Sequence, residues 1–128
     1  MLISLNEHQE QVVVVNWARE NVYRFPALAW LYSSLNGIVI PASPKVKAKI
    51  INYMKAEGMK RGVPDLCLVA ARKGFNGFYW ETKLKNGEQR PDQKRFQEHC
   101  DAENYFYGLG AGAACIETLE WYLGKDHK

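Results

Sequence analysis

Gly62-Val63-Pro64-Asp65-Leu66-Cys67-Leu68-Val69-Ala70-Ala71 is followed, after a turn-like stretch at residues 72–77, by Gly77-Phe78-Tyr79-Trp80-Glu81-Thr82-Lys83. Both runs are apolar or aromatic, of strand length, and bounded by Gly, Pro and Asn, so they read as two strands of one hairpin. Each carries one acidic residue. Asp65 opens the first strand, and Glu81 lies inside the second, ahead of Thr82 and Lys83. Side chains alternate across a strand, so Glu81 and Lys83 share a face that Thr82 leaves. Pairing of the strands brings Asp65 and Glu81 together at one end of the hairpin.

Two carboxylates and a backbone carbonyl, that of Thr82, suit a hard divalent cation such as Mg²⁺ or Mn²⁺. Such an ion makes a water more acidic and screens a phosphate, and Lys83 would orient that water and meet the charge that develops. The spacing is equally compatible with a plain Glu–Lys pair on an exposed strand, with Asp65 as a strand-start cap.

Upstream, Ser4 to about Glu20 reads as a helix, with Ser4 and Glu7 at capping-box spacing and Leu5, Val12, Val15 and Trp17 on the apolar side. Leu28 to Leu35 is a short helix or strand, and Asn36-Gly37 marks a turn. Pro44 to about Gly58 is a second helix, with Ser43 as N-cap and Val46, Ile50, Tyr53 and Met54 as its apolar stripe. Downstream, Pro91 opens a third helix with Phe96 inward. Asn104–Leu109 is a third strand, and Ala113–Leu123 a last helix. This is an α/β order with a small mixed sheet flanked by helices.

The 128 residues fit one domain, 1–128, with 47% apolar and 24% charged residues. Three scattered cysteines without a CxxC pair argue against a disulfide framework or zinc knuckle. No apolar run spans a membrane and the N-terminus lacks a signal-peptide core, so a cytoplasmic protein is expected. Charge is uneven: residues 45–95 hold 13 Lys and Arg against 5 Asp and Glu, and the remainder holds 4 against 9. A basic middle points to a polyanion. Lys45, Lys47, Lys49, Lys60 and Arg61 are the candidate phosphate contacts, which position a duplex without reading its sequence. Tyr32, Tyr53 and Trp80 are expected in the core rather than as stacking platforms, and His8 and His99 are read as structural.

The residues resemble a known family. Gly62-Val63-Pro64-Asp65 with Glu81-Thr82-Lys83 sixteen positions after Asp65 is similar to the PD-(D/E)xK nuclease signature, and within it to stand-alone VRR-Nuc domains of phage and prophage type. Glu7-His8-Gln9-Glu10-Gln11 resembles their EHxxQ helix start. Leu35-Asn36-Gly37 resembles a PNG turn with Leu35 in place of proline. Ala56-Glu57-Gly58 running into Gly62-Val63-Pro64-Asp65 resembles the AEGxxxGVPD block. Pro91-Asp92-Gln93 resembles the SPxQ helix start with Arg90 in place of serine, and Gly110 to Leu123 resembles the closing glycine-then-helix block.

The resemblance implies a restriction-endonuclease-like αβββαβ core, one strand more than the reading above, which places the missing strand within Trp30–Ile40. It implies a Mg²⁺- or Mn²⁺-dependent endonuclease on DNA, acting on branched DNA such as Holliday junctions as a homodimer, in a bacterial host's cytoplasm. Asp65, Glu81 and Thr82 would hold metal, and Lys83 and Gln93 would act beside them. Glu7 is the favoured first-helix acid, with Glu10 and Gln11 as alternatives. The rival reading is a non-catalytic DNA-binding module on the same fold.

Overall fold

The computed structural model describes residues 6–35, 39–85 and 87–124. In chain order they form α1 (Glu7–Glu20), a 3₁₀ turn (Pro26–Trp30), β1 (Leu31–Ser33), α2 (Pro44–Ala56), β2 (Leu66–Leu68), β3 (Phe78–Thr82), α3 (Pro91–Glu103), β4 (Phe106–Gly110) and α4 (Gly112–Leu123). The missing strand is β1, inside the stretch that the αβββαβ core required. The four strands make one sheet in the order β1-β2-β3-β4. β1–β2 and β2–β3 pair antiparallel. β3–β4 pair parallel, with α3 as the crossover that a parallel connection requires.

One face of the sheet is the dry core. Leu66, Leu68, Phe78 and Trp80 alternate onto it and pack with Val14 and Ala18 of α1 and Cys115, Leu119 and Tyr122 of α4. The Phe78 ring stacks on Trp80 at 6.3 Å and on Phe106 at 5.0 Å. Tyr122, fully buried, donates its hydroxyl to the Ala70 carbonyl at 2.7 Å and accepts the Arg72 N–H at 3.2 Å, which pins the far end of the hairpin.

Several local expectations are corrected. The capping box of α1 is Asn6 with Gln9, each side chain accepting the other's backbone N–H, at 2.8 and 2.9 Å. Ser4 lies outside the described residues, as do Leu5 and the Asn36-Gly37 turn. Asn caps as well as Ser does, and it stands nearer the periodic run. Val12, expected on the apolar side of α1, is exposed, as is Val13, and Val14 is the valine that enters the core. On α2 the cap Ser43 holds, donated to by the Val46 N–H, but the apolar stripe does not reach the core. No α2 residue is buried, and Val46 and Tyr53 are exposed. Of the three aromatics expected inside, only Trp80 is; Tyr32 and Tyr53 face solvent. β2 ends at Leu68, because Val69 turns outward.

Gly108 of β4 sits under the Trp80 indole, where a Cβ would collide with the ring. Trp80 is buried and has no room to retreat. Gly108→Ala is expected to destabilise the protein by about 1–3 kcal/mol, the usual cost of overpacking a core. Thermal unfolding followed by circular dichroism checks this, and an unchanged midpoint would show that the indole yields freely.

Candidate functional site

The hairpin opens at its β2 start and β3 end, and the site lies there. Extending the register by one pair from Leu66↔Trp80 sets Asp65 against Glu81. The Thr82 N–H donates to Asp65 Oδ2 at 2.8 Å, so the aspartate side chain replaces a backbone partner at the end of the ladder. On its other side, the Ser34 N–H donates to the Asp65 carbonyl at 2.9 Å. The Asp65 carboxylate is close enough to Glu81 to oppose its ionisation. Glu81 is 5% exposed and Lys83, on the same face, 8%. The Lys83 N–H donates to the Gly110 carbonyl at 2.9 Å, anchoring the lysine to β4 just past the end of β3.

Burial dominates the electrostatics. It pushes Glu81 from the ordinary 4.5 to about 8. The Asp65 charge adds to that rise, while Lys83 and Arg90 oppose it. Asp65 is also raised by burial, against the pull of the Thr82 N–H, Glu81 and Lys83. Two carboxylates this close and this dry do not both ionise unaided at neutral pH. Glu81 Oε1 is buried with no hydrogen-bond partner among the described residues. An all-oxygen pair with an orphaned oxygen and an excess of negative charge fits a hard divalent cation. The protein's donors there are two carboxylates, since no set of three His, Cys, Asp or Glu converges among the described residues.

The loop that delivers Asp65 is clamped. Gly62 has φ +88°, and a Cβ there would lie 2.6 Å from the Asp92 carbonyl oxygen. Only glycine meets both demands, so the GVPD loop rests directly on the first turn of α3. In that turn the Arg90 N–H donates to Gln93 Oε1 at 2.8 Å, and the Gln93 N–H donates to Asp92 Oδ1 at 2.9 Å. Gln93 is thus buried, with its side-chain oxygen engaged in capping. Arg61 and Arg90 both approach Asp92, at 3.6 and 3.3 Å.

The other expected site residues spread further out. Glu10 Oε1 accepts the Gly112 N–H at 2.7 Å, so it caps α4 and ties α1 to the chain two residues past Gly110. Glu7 is exposed in the first turn of α1, and Gln11 is half-buried. Lys45, Lys47 and Lys49 are exposed on α2, and Lys60 is exposed in the loop that follows.

A family model for the VRR-NUC domain matches residues 5–114. The chain belongs to the VRR-NUC domain family. The VRR-NUC match takes in all four strands, the hairpin carboxylates, Lys83 and Gln93, and ends inside α4. A solved structure described as a "VRR_NUC domain protein" is similar to this chain at 26% identity. It has a TM-score of 0.74 and the match covers 96% of this chain and 93% of that one. No curated protein matches the sequence. The family is one of nuclease-like domains, with DNA as the implied substrate. No helix among the described residues is long and apolar enough to cross a membrane.

Two contributors went unread in the sequence. Arg90 registered only as a departure from serine, yet its charge acts on Glu81. Tyr107 lies opposite Tyr79 on β4 and is held by Gln89 Nε2 at 3.2 Å. Burial pushes its hydroxyl up to about 12, so it stays protonated beside the carboxylates. An aromatic repeat in NYFYGL was the available signal, but its partner strand was not.

The raised Glu81 has a consequence for the cation-free protein. The folded state binds a proton that the unfolded chain releases between pH 4.5 and about 8. Stability is therefore fully present below pH 4.5 and is lost as pH rises through 8. In chelator, the unfolding midpoint should fall across that window, and Glu81→Gln should flatten the fall. Denaturant unfolding at a series of pH values measures it, and an equal slope in both proteins would contradict a proton retained on Glu81.

Proposed function

We propose that this VRR-NUC domain is a Mg²⁺- or Mn²⁺-dependent endonuclease that hydrolyses phosphodiester bonds of branched DNA, Holliday junctions among them. The observation that carries the reading is the pairing of half-buried Asp65 with buried Glu81, with Glu81 Oε1 unpartnered and Lys83 on the same face.

Asp65, Glu81 and the Thr82 carbonyl would hold the cation, which supplies Lewis-acid polarisation of the scissile phosphate and a more acidic water. The Thr82 N–H fixes the Asp65 carboxylate, so that ligand is oriented before substrate arrives. Lys83 orients the attacking water and stabilises charge on the phosphate oxygens. Gln93 acts from beneath the first turn of α3, and Arg90 moderates the charge at Glu81. Glu7 is the first-helix acid of this reading, since Glu10 is engaged at Gly112. Lys45, Lys47, Lys49, Lys60 and Arg61 contact phosphates along the strands. The enzyme acts as a homodimer, whose two sites serve two strands of a junction. A reducing cytoplasm suits its free thiols, of which Cys100 and Cys115 are buried.

Cleavage over a panel of branched and blunt DNAs, with Mg²⁺, Mn²⁺ or chelator, tests the reading. Wild type should cut branched DNA only with metal, and Asp65→Asn should abolish cutting with the fold intact. Lys83→Ala should bind branched DNA nearly as wild type does and cut it at least ~100-fold more slowly, since its charge is needed in the transition state. Lys83→Ala cutting at the wild-type rate would remove the lysine from the mechanism. A wild type that binds but never cuts would make the domain a binding module.

A further inference from the structure

The face of the sheet that carries the carboxylates is covered unevenly. Over β3 and β4, α3 lays Phe96 edge-on against Tyr79 at 5.1 Å and beside Tyr107 at 6.5 Å. Over β1, among the described residues, the same face is exposed at Tyr32. Leu31 and Leu68 turn to the core, so their neighbours Tyr32 and Cys67, also paired across the strands, stand on the carboxylate face. Tyr32 is 53% exposed beside the half-buried Cys67, its cross-strand partner. Beyond the Leu31↔Leu68 pair, Trp30 and Val69 are 68% and 65% exposed. The result is an exposed shelf, Tyr32 on the carboxylate face with Trp30 at the end of the 3₁₀ turn just before β1, that begins two residues along the sheet from Asp65.

The spacing is suggestive of one ligand. Ser34 bonds the Asp65 backbone, and Tyr32 is two residues away along β1, a step of roughly 6.5–7 Å. That is comparable to the phosphate-to-phosphate step of an extended single strand, about twice the 3.4 Å per nucleotide of a stacked duplex. Aromatic side chains on an open sheet face stack unpaired bases, and they do so with little regard to sequence. Lys60 and Arg61 lie in the loop that leads into Asp65 and offer cations to the same strand's backbone. A second copy of the chain on this shelf would instead shut the neighbouring carboxylates from any substrate.

We infer that Tyr32 is a stacking platform for an unpaired nucleobase flanking the scissile phosphate, so that the substrate is DNA with a single-stranded arm at the cut. This rests on the nuclease reading above for the position of the cut, and names the substrate feature that the site selects.

The test needs no turnover. A forked DNA and a blunt duplex, each with 2-aminopurine at the position of the first unpaired nucleotide, are titrated with protein in Ca²⁺. Wild type should quench the forked probe. Tyr32→Ala should lose that quenching, and its forked-over-blunt affinity ratio should fall about tenfold. Tyr32→Phe, which keeps the ring, should retain both. Quenching and ratio preserved in Tyr32→Ala would overturn the platform. So would sedimentation showing that Tyr32→Ala only converts a dimer to a monomer, which would assign the shelf to self-association. Because binding is read directly, a protein that fails to cleave would defeat the nuclease reading while leaving this result legible.

Discussion

Two carboxylates held in contact away from water repel one another, lose hydration, and stay put only if the surrounding backbone gives them no alternative. Asp65 and Glu81 meet that condition. Antiparallel pairing of β2 and β3 sets their positions, the Thr82 N–H holds Asp65, and Glu81 sits on a strand bonded on both sides. The cost of burial then appears as a proton retained near neutral pH rather than as a displaced side chain. Under the proposed function a divalent cation would displace that proton and let both carboxylates ionise.

The remainder of the fold divides its work between the two sides of the sheet. On one side α1 and α4 bury Leu66, Phe78 and Trp80 in a dry core, which fixes the strand register. Any slip by one residue would carry Glu81 into that core and Trp80 out of it. On the other side α3 covers only β3 and β4. Its first turn, closed by the Gln93 cap, packs directly against Gly62 of the GVPD loop. The site is therefore braced by the core on one side and by a helix terminus on the other, while Tyr32 of β1 stays exposed beside it.

Much of this was legible in the sequence because it depends on local rules. Hairpin pairing, the shared face of Glu81 and Lys83, the Ser43 and Pro91 helix starts and the closing helix all follow from strand alternation and capping. The less legible parts are non-local. β1 is three residues long, too short for a period to show, and it exists because it pairs with β2. The amphipathic pattern of α2 predicts an inward face, but nothing in a sequence says whether a neighbour is there to receive it, and in the fold none of its residues is buried. Tyr32 differs from expectation for the same reason: aromatics on strands are usually covered, and no sequence pattern tells that this one stays 53% exposed. Glu10 shows the converse, an acid engaged at the N-terminus of a helix 102 residues away.

The central claim is that the Asp65–Glu81 pair is a divalent-cation site. Anomalous diffraction from crystals soaked in Mn²⁺ tests it most directly. A peak coordinated by both carboxylates, with the Thr82 carbonyl beside it, is the predicted result. A peak elsewhere, or none in a protein that cleaves DNA with Mn²⁺, would contradict it.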